Sequence, residues 1–159
     1  MAEDKNINCA KGVYATLCQA LENRGWKYDK EEDKLMVVFG VNGDDIPMRF
    51  VIFVDAEKQL ISCVSPLPFT MSEDKRVEGA IIACVASFGM ADGSFDYDLS
   101  NGQISFRMTA SYRDSVIGEG LFQYLISCAC AMVDEYNDQF LAVNKGILSL
   151  EEFIQKRNS

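Results

Sequence analysis

Between Lys34 and Ser65 the sequence reads KLMVVFGV, NGDD, IPMRFVIFVD, AEKQ and LISCVS. Three runs rich in β-branched and aromatic residues, separated by two short polar breaks, fit an antiparallel meander better than any other short arrangement. Asn42-Gly43 tolerates the positive φ angles of a tight primed turn, so the strand Lys34–Val41 should return as MRFVIFVD. Pro47 lacks an amide hydrogen and suits the first position of that second strand. AEKQ feeds the third strand, and PLPF at 66–69 is expected to end the sheet.

The meander has a second property. Leu35, Val37 and Phe39 share one parity with Phe50, Ile52 and Val54, while Met36 and Val38 share the other with Val51 and Phe53. Both faces are therefore apolar, whereas an antiparallel sheet with one solvated face alternates cleanly. The later hairpin shows that cleaner pattern. SFDYDLS, a turn at Asn101-Gly102 and QISFRMTASY place Phe95, Tyr97, Leu99, Ile104, Phe106 and Met108 on one side, and Asp96, Asp98, Ser105, Arg107 and Thr109 on the other. Either the chain's own helices wrap both faces of the meander, or Met36, Val38, Val51 and Phe53 form a patch closed by a partner.

Helical spacing marks the remaining segments. Ile7, Ala10, Val13, Tyr14, Leu17 and Leu21 form the stripe of a first helix that ends at Gly25. The charged DKEED reads as a turn. Ser72 is a candidate N-cap, followed by a helix of about 16 residues that closes near Gly89, with Val77, Ala80, Ile81, Cys84, Val85 and Phe88 as its core stripe. A long final helix carries Leu121, Leu125, Cys128, Met132, Tyr136 and Phe140, and a short helical tail follows at 147–157. The order is α-βββ-α-ββ-α, an α+β class with a single-domain antiparallel sheet of about five strands packed with helices over 1–159.

The run KLMVVFGV…MRFVIFVDAEKQLISCVS, the proline-containing break, the Arg76-containing helix closing on FGMADGSFDYDLSNGQISFRM and the long final helix together resemble the YbjN-type domain family, whose fold is like that of type III secretion chaperones. The resemblance spans about residues 8–144. It implies a non-enzymatic, often dimeric module of regulatory or chaperone-like character, with no catalytic residues to carry across.

Reactive constellations are sparse. The chain has six cysteines and no histidine. Cys128 and Cys130 in ISCACAMV point about 200° apart on a helix and cannot share an ion. Cys9 and Cys18 lie about 180° apart, Cys63 stands alone in a strand, and Cys84 reads as a buried small hydrophobe. Asp96 and Asp98 share a strand face, but the glycine and glutamate of a calcium loop are missing around them. GVNGDD and GEG match no phosphate-binding pattern. No catalytic, cofactor or metal site is expected. The modest polar candidates for a small-ligand pocket between sheet and final helix, the alternative reading, are Tyr14, Arg49, Tyr124 and Tyr136.

A formal net charge of −9 repels phosphate backbones and anionic lipid, so nucleic acid and membrane are poor partners. No run approaches the roughly 20 apolar residues of a membrane span, and MAEDKNINCA lacks a basic leader. A cytoplasmic location is expected, and with it reduced thiols. The partner expected is a protein client or a second copy of the chain, met through Met36, Val38, Val51 and Phe53.

Overall fold

The computed structural model describes residues 1–159, the side chain of Ala2 aside. Helix α1 (Ala2–Asn23) leads into strands β1 (Asp29–Glu31), β2 (Met36–Asn42), β3 (Pro47–Asp55) and β4 (Leu60–Thr70). Helix α2 (Arg76–Ser87), strands β5 (Ser94–Asp98) and β6 (Gln103–Ser111), and helices α3 (Glu119–Asn144) and α4 (Leu150–Asn158) follow. The strands form one antiparallel sheet in the order β1-β2-β3-β4-β6-β5. The class and connectivity are those the sequence implies. The sixth strand is β1, which lies in the charged segment read as a turn and pairs Asp29–Glu31 with Met36–Val38.

PLPF does not end the sheet. Strand β4 runs through it to Thr70 because its pairing with β3 stops at Val51 opposite Val64, while its pairing with β6 continues through a register shift between Pro66 and Thr70. Pro66 and Pro68 thus sit where one side of the strand has no ladder to supply, the setting that tolerates a missing amide.

All core-facing strand residues share one parity. Val37, Ile52, Cys63 and Met108 lie in one row across β2, β3, β4 and β6, with Phe39 opposite Phe50 and Phe95 opposite Phe106 in others. They belong to one hydrophobic cluster with Leu17 and Leu21 of α1, Ile82 of α2, Phe122 and Phe140 of α3, and Phe153 of α4. Phe95, Tyr136, Phe140 and Phe153 form a chain of aromatic contacts with centroid separations of 4.9 to 5.8 Å. A capping box between Ser149 and Glu152 starts α4 and sets Phe153 onto this chain.

Three helix expectations change. α1 starts before Ile7, which is exposed rather than part of the core stripe. Ser72 does not cap α2. Its hydroxyl donates to Asp74 and a short 3₁₀ turn, Glu73–Lys75, comes first. On α3 the buried line is Phe122, Leu125, Ile126, Ala129, Val133, Tyr136, Asn137, Phe140 and Val143, and Cys128 and Met132 fall to its edge.

The largest correction concerns α2. Its buried residues are Gly79, Ile82, Ala83 and Ala86, and the bulkier stripe Val77, Ile81, Cys84 and Phe88 points to solvent. Close approach decides the face: a Cβ on Gly79 would lie 2.5 Å from the Tyr97 hydroxyl and 2.6 Å from Met71 Cγ. Tyr97 of β5 donates its hydroxyl hydrogen to the Arg76 carbonyl at 2.7 Å, which holds the helix at that distance. Leu99, expected on the core side, lies in the β5–β6 turn and is exposed. In an open helix Gly→Ala stabilises by about 1 kcal/mol. Here Gly79→Ala should lower stability by about 1–3 kcal/mol in urea unfolding, because the methyl group must displace Tyr97 or Met71.

Candidate functional site

Strand alternation places Met36, Val38, Val51 and Phe53 together on the face that points away from the core. Met36 pairs with Phe53, Phe53 with Ser62 and Ser62 with Thr109, which makes one row. Val38, Val51, Val64 and Arg107 make the next. Leu60 and Pro66 share the parity of Val64 and extend the apolar surface along β4. Met36, Val38, Val51, Phe53, Leu60, Val64 and Pro66 are half-buried. They lie outside the cluster the helices cover. The helices therefore do not wrap both faces.

The rim of this face is polar, and two of its carboxylates are paired locally, Glu31 with Lys34 at 2.6 Å and Asp55 with Lys58 at 3.9 Å. Asp29 stands opposite Val38 and Glu31 opposite Met36, so the two rows end in carboxylates on the β1 side. Asp55 continues the parity of Phe53. On the far side Arg107 is held by Asp96 in a bidentate pair, Nε to Oδ2 at 2.6 Å and Nη2 to Oδ1 at 3.2 Å. Arg49, opposite Gly40, is exposed and adds a cation near the meander's end.

That pairing accounts for one of the two strand acids weighed as a cation site. The other, Asp98, accepts from the Ser100 hydroxyl and backbone amide, which hold its carboxyl below the usual range. The two do not converge. Among the described residues no group of three His, Cys, Asp or Glu side chains is placed to hold a metal ion.

The four polar candidates for a ligand pocket lie apart. Tyr14 donates to the Met36 carbonyl at 3.2 Å and, through burial first, is pushed up to about 12. Tyr124 donates to Asp92 at 3.1 Å on the surface. Tyr136 is packed between Phe95 and Phe140, and Arg49 is on the opposite side of the sheet.

A second exposed apolar surface lies on α2, formed by residues whose helical spacing predicts a core stripe. Val77 is 68% exposed, Ile81 36% and Phe88 83%, and Cys84 is exposed beside them. Arg157 of α4 donates to the Phe88 carbonyl at 2.7 Å and fixes the end of this stripe. The signal available in the sequence was the opposite face: glycine and alanine at 79, 83 and 86 mark a helix side able to approach a strand closely.

All six cysteines are free. Burial pushes Cys63 up to about 12 and Cys130 to about 11, with Asp134 adding to the second, so both stay protonated at neutral pH. Ellman's reagent should label exposed Cys9 and Cys84 first and reach Cys63 only on unfolding.

The two faces of β3 also make a direct contrast. Phe53→Glu or Val38→Lys should cost under about 1 kcal/mol in urea unfolding, since the new charge reaches water. Ile52→Glu, one residue away and fully buried, should cost more than about 3 kcal/mol.

No family model matches this chain, and no curated protein matches it. Solved structures do. The chain is similar to YbjN from E. coli, a candidate transcription regulator, at 12% identity and a TM-score of 0.57, over 79% of this chain and 92% of that one. It is also similar to a chain of the HopA1–SchA chaperone–effector complex at 8% identity and a TM-score of 0.49, over 76% and 88% respectively. The α+β fold is YbjN-like, and at these identities the likeness is one of fold.

Proposed function

We propose that this chain is a non-enzymatic protein-binding module that takes an apolar protein segment on the helix-free face of its sheet. The observation that carries the reading is the two rows built on Met36, Val38, Val51, Phe53 and Val64, which no helix covers. Exposed apolar surface gathered in one patch and rimmed by polar groups is characteristic of interaction sites. The Asp29 carboxylate at its border, which takes part in none of the ion pairs among the described residues, favours a segment with a basic flank. The chain's net charge of −9 supports the same preference and disfavours nucleic acid. No helix among the described residues is long and apolar enough to cross a membrane. The absence of histidine removes the usual base for a serine or cysteine nucleophile, which supports binding over covalent catalysis.

The test is a pull-down at modest salt with the native protein and with Phe53→Glu. The native chain should recover a partner that the variant loses, and recovery should weaken as salt screens the basic flank. A native chain that recovers nothing and stays monomeric, or a variant that recovers the same partner equally well, overturns the proposal.

Self-association is a separate reading, carried by the α2 stripe. Val77, Ile81, Cys84 and Phe88 are spaced four, three and four residues apart, the spacing of a helix-pairing seam. Two copies would meet through the same stripe about a two-fold axis. Light scattering at tens of micromolar should give a dimer mass that Ile81→Glu converts to monomer without loss of stability. A dimer that survives Ile81→Glu but not Phe53→Glu moves the interface to the sheet face.

A further inference from the structure

A cavity of about 300 Å³ opens at the end of α1, away from both apolar surfaces, between that helix, β2 and the first half of α3. Its origin is local. Gly25 takes a φ of +69°, its N–H donates to the Glu22 carbonyl and the Trp26 N–H donates to the Leu21 carbonyl, which together close the helix in a Schellman turn. That turn folds Trp26 back toward Leu21, and the indole rests against Phe39 with ring centroids 5.4 Å apart. Leu21, Trp26, Val41, Phe122 and Ile126 supply apolar walls.

The polar part of the lining is small and its sign is uniform. Arg24 is the one charged residue among the lining side chains, and it takes part in none of the ion pairs among the described residues. Gln123 and Ser127 are neutral, and the Cys130 thiol stays uncharged at neutral pH because burial pushes it up to about 11. An apolar chamber with one free cation in a strongly acidic protein selects an anionic head with an apolar body. The volume lies at the lower end of ligand sites and holds roughly ten non-hydrogen atoms, taking about 30 Å³ for each as for water.

We propose that this cavity binds a small aliphatic carboxylate, its chain against Leu21, Trp26, Phe122 and Ile126 and its carboxylate on the Arg24 guanidinium. The site is independent of the protein-binding face and stands or falls without it.

Trp26 is the only tryptophan in the chain, so its emission reports the cavity directly. Octanoate titrated into the native protein should change that emission saturably, with the far-ultraviolet circular dichroism unchanged. Arg24→Glu changes an exposed side chain and should weaken the response roughly tenfold or more, the loss of one charge-assisted contact. Octylamine and octanol should bind no better to the native protein than octanoate does to Arg24→Glu. Ser127→Phe, at an exposed position on the cavity wall, should remove the response while leaving the fold intact. An unsaturable drift, a response that accompanies unfolding, equal response to octanoate and octylamine, or indifference to Arg24→Glu would each overturn the assignment.

Discussion

One ladder joins the two halves of this protein, that between β4 and β6. Strand β4 is the third strand of the meander and the neighbour of the later hairpin, so every contact between Met36–Asp55 and Ser94–Asp98 within the sheet passes through it. Cys63 sits at the middle of that joint, fully buried between Ile52 on one side and Met108 on the other. The helices follow from it. α3 reaches both β4 and β6, and α2 rests on β5, whose position is set by β6. With the sheet's parity fixed along that row, the four helices have a single apolar layer to cover, and they cover it from one side.

The same parity explains what the sequence disclosed and what it left open. Strand existence and the hairpin at Gly102, which takes a φ of +77°, were legible because period-two alternation and turn chemistry act over neighbouring residues. Asn42-Gly43 was misleading, since neither takes a positive φ and the β2–β3 connection is a wider loop closed by the Gly43 N–H on the Ile46 carbonyl. The meander's exposed side was not legible, because both of its parities are apolar. The discriminating residue was Arg107. Its place opposite Val64 ties the polar face of the hairpin to the row of Val51 and Val38, but that pairing joins residues 43 positions apart and leaves no local pattern.

Helix α2 shows a different limit. Hydrophobic ranking selects Val77, Ile81, Cys84 and Phe88 as the core side, and packing selects Gly79, Ala83 and Ala86. Distance outweighs side-chain size here. A helix that receives a hydroxyl from the strand beneath it must present its smallest residues to that strand, and its larger ones are turned outward as a consequence. The prolines of β4 follow a similar rule. Pro66 and Pro68 read as a stop in isolation, yet β4 has already parted from β3 when it reaches them.

The two outer strands have a bearing on how large an assembly of this protein can become. β1 consists of Asp29, Lys30 and Glu31, and β5 carries Asp96 and Asp98. Charged strands of three and five residues make poor templates for another chain's backbone. Contact through strand margins would repeat from molecule to molecule and build a fibre, whereas contact between flat faces is exhausted once each has found its counterpart. The short charged outer strands thus remove backbone pairing as a way of extending the sheet from one molecule to the next.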